Sequence, residues 1–360
     1  MKKCLTIVCL VLIFFGLLCL LWQISQPLNF LNRISLYNIV FPGRERLPFG
    51  ENPQMSYNFS IGSLDAAFAS HKISNTGTNS PDTFRIITIG DSSSWGTLQR
   101  PEETLCGRLN GKLLPDGKSI LCYNLAYPTL SLTKDYLLLN RAMHYEPDLI
   151  LWPLTLESFP IDKQTDNALI QANWDEYCSL FPESKTDRGD VTPVEKSVWG
   201  QRRETADWLR LQLYGLMWAG TGIDQDYPES YTAPQIDLNA DNTYHGISGP
   251  LKAEDLAWDV LEKGFNRAEN VPVMLINEPM LISNGENSKI RYNYYYPREA
   301  YDSWHQELIS RADKNDWLLV DLWNYLDIQD FTNSAIHYNA DSAVRLADIV
   351  FAEIERYLYK

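Results

Sequence analysis

One serine, one distant histidine and a scatter of carboxyl and amide groups have the types needed for acyl transfer if folding brings them together. Ser92 lies in Gly90-Asp91-Ser92, directly after Ile86, Ile87 and Ile89. A serine hydroxyl is a poor nucleophile until an imidazole takes its proton, so this chemistry needs a histidine from elsewhere in the chain. Of the five histidines, only His337 stands between a strand-like segment and a closing helix. His144 falls near a helix end, where a cation interacts favourably with the helix dipole. His305 falls mid-helix, and His71 and His245 lie in loops. Gly, Asp and Ser also dominate ordinary turns, so the tripeptide alone reads as a turn.

The surrounding pattern supplies the elements that would position these groups. From Thr83 onward, apolar runs alternate with helical periods, the signature of a parallel sheet covered on both faces. The expected strands are a first one ending at Gly90, then Ser119–Asn124, Pro147–Pro153, Val271–Ile276 and Trp317–Leu322. Between them fall helices near 102–114, 133–145, 253–268 and 300–312, then a last helix with Val344, Ala347, Phe351, Ile354 and Leu358 as its buried stripe. In such sheets ligands bind outside the carboxyl ends of the strands. That edge would gather Ser92, Asn124, Thr155, Glu278 and His337.

The alternation breaks between Pro160 and Pro250, where irregular sequence surrounds one helix, Glu204–Trp218. Ala206, Leu209, Leu213 and Leu216 mark one side of it and Trp208, Leu211, Tyr214 and Trp218 the other. A helix apolar on both sides is buried in the domain, forms a lid over the site, or touches a membrane surface.

Gly90-Asp91-Ser92 with Gly96, then Asn124-Leu-Ala-Tyr-Pro-Thr129, then His337-Tyr-Asn339 resemble the blocks of the SGNH (GDSL-type) hydrolases over roughly Thr83 to Lys360. The resemblance implies a flavodoxin-like three-layer α/β/α fold with a five-stranded parallel sheet, Ser92 as nucleophile and His337 as base. The family's aspartate three residues before the histidine is Ser334 here. That leaves Asn333, Asp330 or Glu278 to orient the ring, or a dyad without a third member. The oxyanion-hole glycine of the second block maps onto Thr129, whose amide would serve together with that of Ser92, with Asn124 close by. The asparagine of the third block is replaced within Trp152–Phe159, where Thr155, Glu157 or Ser158 would stand. Asp91 reads as a site residue or as a helix cap, and Asn124 as a site residue or a turn residue. Glu278 reads as a site residue or a solvated loop carboxylate. Tyr294–Tyr296 rim a sugar pocket or pack as a loop.

Composition sets outer bounds. A net charge of −15 over 360 residues argues against nucleic acid, whose binding needs clustered Lys and Arg. No Cys/His pair has zinc-ligand spacing, so neither metal nor other cofactor is expected.

From Cys4 to Trp22 the chain is apolar apart from Thr6, close to the ~20 residues a helix needs to cross a bilayer. Lys2 and Lys3 precede it, which predicts a cytoplasmic amino terminus and an exported remainder. Bulky residues around Trp22 argue for an uncleaved signal anchor over a cleaved peptide. The expected layout is an anchor over 1–25, a stalk over 26–80 with Ser56–Phe68 ordered and Ser74–Pro81 loose, and a domain over 81–360 with an insertion at about 160–250. Cys106 and Cys122 flank one crossover and would pair in an oxidising compartment or stay buried thiols.

The function expected is an extracytoplasmic serine esterase or O-acyltransferase acting on acyl esters of cell-envelope glycans or lipids. The rival is a non-catalytic glycan-binding envelope protein on the same fold.

Overall fold

A computed structural model describes residues 2–31, 36–40, 64, 82–166, 168–186, 192–222 and 231–359. In chain order the first elements are α1 (Lys2–Ser25), α2 (Leu28–Leu31), α3 (Leu36–Val40), β1 (Thr83–Thr88), α4 (Ser92–Trp95) and α5 (Leu105–Leu109). Next come β2 (Ser119–Asn124), α6 (Leu132–Ala142), β3 (Leu149–Leu154), α7 (Ala168–Ala172), α8 (Trp174–Leu180) and α9 (Arg202–Thr221). A hairpin of β4 (Thr243–Tyr244) and β5 (Ile247–Ser248) precedes α10 (Trp258–Ala268), β6 (Val273–Asn277), α11 (Arg298–Asn315), β7 (Leu318–Asp321) and α12 (Ala340–Leu358). Contacts divide the chain into two units. One holds α1 to α3, α8 and α9, and the other holds the remaining elements.

The larger unit is built on a five-stranded sheet of order β2-β1-β3-β6-β7, parallel throughout. This is a flavodoxin-like order, with its topological switch between β1 and β3. All six residues of β3 are buried, as a central parallel strand covered on both faces requires. Alternation sorts its side chains. Leu149 and Leu151 join Ile86, Ile120, Ile276 and Val320 in a core closed by α5 and α12, which pack on each other. Ile150 and Trp152 point to the opposite face, where α6 and α10 pack together. A Cβ on Gly264 of α10 would lie 2.4 Å from the Trp152 ring, so that position has no room for a side chain.

Several expectations change in detail. The helix expected over 102–114 is a single 3₁₀ turn at Pro101–Glu103 followed by α5, because Asn110-Gly111 ends it and Gly111 N turns to Ile120 O. In α12 the buried stripe is Ala343, Leu346, Ala347, Val350 and Ile354, while Val344 is exposed. Ala347 and Ile354 are buried as expected and Phe351 and Leu358 pack at the edge of the core, so the expected stripe errs at Val344. The 160–250 stretch holds α7, α8 and the hairpin besides α9. Cys106 and Cys122 form a disulfide with Cα atoms 5.5 Å apart, which pins α5 to β2. Apart from Leu64, the segments Ser56–Phe68 and Ser74–Pro81 lie outside the described residues, as does His71.

In the smaller unit, Lys3–Ser25 is a helix of 23 residues containing an 18-residue stretch of mean hydropathy 3.1 with no buried residue, long and apolar enough to cross a membrane. Its last turn is bonded to the segment before α9: Trp22 Nε1 donates to Gln201 Oε1 at 2.7 Å and Gln23 Nε2 to Pro193 O at 2.7 Å. Along α9, Trp208 Nε1 donates to Leu31 O and Gln212 Oε1 accepts from Leu36 N.

Candidate active site

Strand β1 ends in a turn that the sequence makes unavoidable. Gly90 adopts φ +138°, and a Cβ there would meet Ser94 Oγ at 2.9 Å and Pro153 O at 3.2 Å. Asp91 caps α4 by accepting from Ser93 N at 2.8 Å, and Gly96 closes the helix with φ +90°. Ser92 thus stands at the first helical position, partly exposed, at the carboxyl end of β1 beside the switch point.

His337 reaches it from the other end of the unit. The loop before α12 is closed at its neck by Asn339 N donating to Asp330 O at 2.8 Å and by a bridge between Phe331 and Tyr338. Within it, Thr332 N donates to His337 O, and Tyr294 OH accepts from Ala335 N while donating to Ser334 Oγ. Gln99 Nε2 donates to Tyr338 O at 2.7 Å and ties this loop to the serine segment.

The result is a relay. Ser92 Oγ lies 2.8 Å from His337 Nε2, and His337 Nδ1 lies 2.9 Å from Asn333 Oδ1. An amide oxygen only accepts, so Nδ1 carries the proton and Nε2 is free to accept from Ser92 Oγ. Burial pushes the His337 pKa down to about 4, which keeps the ring neutral at ordinary pH.

Of the three groups considered to orient His337, the structure brings Asn333 to it. Asp330 instead pairs with Arg345 at 2.6 Å and accepts from Asp327 N, because its own 3₁₀ turn uses it as a cap. Those contacts favour its ionised form, and its pKa is lowered despite the opposing effect of burial. Ser334, three residues before His337, faces Tyr294.

Glu278 lies beneath the serine turn, at the end of β6. It is buried, accepts from Ser94 Oγ at 2.9 Å, and has a pKa raised well above the ordinary value by burial and by the nearby Asp91. Asp91 is likewise pushed up to about 6, burial outweighing the attraction of Lys134. Lys134 was not among the expected residues. It is fully buried, pairs with Asp135 at 2.5 Å, and donates to Gly90 O and to Tyr127 O at 3.1 Å. These groups hold the serine turn from below.

Two of the expected oxyanion donors, Asn124 and Thr129, are otherwise engaged. Asn124 Nδ2 donates to Ser94 O at 2.8 Å and its Oδ1 accepts from Ala126 N, so its amide fastens α4 to the end of β2. Thr129 N donates to Tyr127 O at 2.6 Å. Glu157 is buried at the end of β3, where it accepts from Tyr244 OH at 2.9 Å and pairs with His245 and Lys163. It holds the β4–β5 hairpin, whose turn residue His245 takes φ +48°. Tyr296 is fully buried, and Tyr294 and Tyr295 pack against the core.

His305 pairs with Asp321 at 2.8 Å on the outside of the unit, and His144 Nδ1 faces Arg141 O. Among the described residues no group of three or more His, Cys, Asp or Glu is placed to hold a metal.

No protein-family model matches the sequence. No curated protein matches it either. Among solved structures, a member of the lipolytic protein G-D-S-L family from Veillonella parvula aligns at 10% identity and TM-score 0.36, covering 76% of this chain and 98% of that one. Est24, a carbohydrate acetylesterase from Sinorhizobium meliloti, aligns at 14% identity and TM-score 0.33, covering 76% and 100%. An inhibitor-bound aryl esterase from M. smegmatis aligns at 11% identity and TM-score 0.35, covering 76% and 99%.

Proposed function

We propose that this chain is a serine ester hydrolase or O-acyltransferase of the SGNH type, with Ser92 as nucleophile, His337 as base and Asn333 as the group that orients it. The observation that carries the reading is the continuous relay from Asn333 Oδ1 through His337 to Ser92 Oγ at the switch point of the sheet. Ser92 Oγ attacks the ester carbonyl carbon as its proton passes to His337 Nε2. The imidazolium then protonates the leaving alkoxide as the acyl–oxygen bond breaks, leaving an acyl-serine. Water or a hydroxyl acceptor gives its proton to Nε2 and attacks the acyl carbon, which releases an acid or a new ester and restores Ser92. The Ser92 amide, first in α4 and so without an intrahelical acceptor, is the donor for the oxyanion.

The substrate class we infer is an acyl ester on a cell-envelope glycan or lipid. Support comes from an amino-terminal helix fit to span a membrane and from a disulfide, which persists in oxidising compartments. Both accord with a domain outside the cytoplasm.

A non-catalytic glycan-binding role has one observation in its favour. The side-chain amide of Asn124 and the main-chain amide of Thr129 already donate to backbone oxygens, which leaves the oxyanion with few donors. A fluorophosphonate probe applied to the full chain separates the two. Labelling at Ser92 that is lost in His337→Ala supports the enzyme, and no labelling at Ser92 supports the binder. Product formed on a hydroxyl acceptor in preference to water separates transferase from esterase.

A further inference from the structure

Helix α9 has two unlike sides. Inward, it bonds α2 and α3 through Trp208 and Gln212, and Gly215 and Ala219 are buried. Outward, Leu209, Leu213 and Met217 form a ridge at four-residue spacing, 51%, 60% and 45% exposed. A contiguous apolar ridge of this kind on a water-facing surface marks an interaction face. Exposed apolar residues also continue through the same unit, in Phe30 of α2, Ile39 of α3, and Val194 and Trp199 ahead of α9.

The occupant follows from where α9 begins. Trp22, Gln23 and Gln26, at the end of α1, donate to Gln201, Pro193 and Lys196. The start of α9 is therefore fixed at the end of the apolar helix, where a bilayer crossed by α1 would have its surface. Trp199 stands there with the Arg202 guanidinium 5.0 Å from its ring centroid, and Arg203 and Arg210 are exposed on α9. Tryptophan with basic side chains is the usual composition of a helix at the headgroup level, and the cations suit anionic lipids.

We propose that α9 lies on the surface of the bilayer that α1 crosses, with Leu209, Leu213 and Met217 seated at the boundary between headgroups and acyl chains and Trp199 and Arg202 among the headgroups. This rests on α1 being a membrane span and is independent of the reading of Ser92. The burial of apolar area on lipid, together with attraction to anionic headgroups, supplies the binding.

The test places the photo-reactive residue p-benzoylphenylalanine in turn at Leu213, at Phe14 of α1 and at the exposed Val344 of α12. Each full-length variant is reconstituted in vesicles of phosphatidylethanolamine and phosphatidylglycerol. The expected result is a lipid adduct at 213 approaching the yield at 14, and none at 344. Crosslinking from 213 only to a second copy or to this chain, or no adduct while 14 labels lipid, overturns the surface placement and leaves the span standing. No lipid adduct at 14 overturns the span and the proposal with it.

Discussion

Asn333 Oδ1 lies 2.9 Å from His337 Nδ1, where the carboxylate of a Ser-His-Asp triad would stand. The amide fixes the tautomer as a carboxylate would, but it brings no charge to stabilise the imidazolium that the proposed mechanism requires. The low pKa of His337 fits that arrangement, since burial acts on the ring without an anion to oppose it.

Asn333→Asp supplies the missing charge. An anion this close raises the pKa of a buried cation by roughly 1 to 3 units. The acidic limb of kcat/KM for a simple ester reports the free base, so it is expected near pH 4 in the parent and higher in the variant. A stopped assay across pH 3 to 8 reads both limbs. An unmoved limb would show that Asn333 does not govern the ring.

Asn333→Ala leaves the ring free to turn. Its effect is expected on kcat more than on KM, because the amide touches the base and not the substrate. Removing general acid–base catalysis altogether, in His337→Ala, is expected to cost about 10² to 10⁴ in rate. Equal loss in the two variants would mean that orientation is the whole of the histidine's contribution.

Glu278→Gln is expected to stabilise the protein at neutral pH. The folded pKa of Glu278 is raised, so between its ordinary value and the folded value the folded chain binds more protons than the unfolded one. That makes the parent lose stability as pH rises through this window, by about 1.4 kcal/mol for each unit of elevation. Glutamine keeps an acceptor for Ser94 Oγ without that dependence. Urea melts at pH 4 and pH 8 should give similar midpoints for the two proteins at the lower pH and a higher one for the variant at the upper. A variant less stable than the parent at pH 8 would refute the assignment.

Lys134→Met strands Asp135 in the interior. Breaking a buried pair by removing one partner costs about 3 to 5 kcal/mol. It also removes the donor to Gly90 O and Tyr127 O, so labelling of Ser92 by the probe should fall along with stability. Lys134→Met combined with Asp135→Asn should recover part of the stability, while the labelling stays low. Recovery of both would make the pair purely structural.

Reduction of Cys106–Cys122 opens a loop of 16 residues in sequence. Closing a loop of that length is worth about 3 kcal/mol in the chain-entropy picture. A double Cys→Ser variant should melt lower by that amount and still carry the relay, since neither cysteine touches it. A melt unchanged by reductant would mean the thiols are not bridged.

Much of the fold was legible because it is written locally. The five strands are short apolar runs bounded by turn residues, and the sheet edge that gathers Ser92, Asn124, Glu278 and His337 follows from their being parallel. What decided among Asn333, Asp330 and Glu278 was the path of a ten-residue loop pinned by Tyr294 and Thr332, and no spacing rule carries that. Lys134 was illegible for a related reason. A lysine in a helix is ordinarily solvated, and only the approach of Gly90 O and Asp135 makes an interior site for it. Val344 misled because it is apolar and borders a stripe whose inner positions, Ala343 and Ala347, are small.

The packing of α12 on α5 has a consequence for when the protein can act. His337 is carried into place by a loop anchored to α12, whose buried stripe spans Ala343 to Ile354. Ser92 leaves the ribosome some 245 residues earlier. Because chains are made from the amino end, that serine has no imidazole of His337 beside it until α12 has docked. The pairing of Ser92 with His337 is therefore a property of the assembled unit, absent from any shorter stretch of the chain that holds the serine alone.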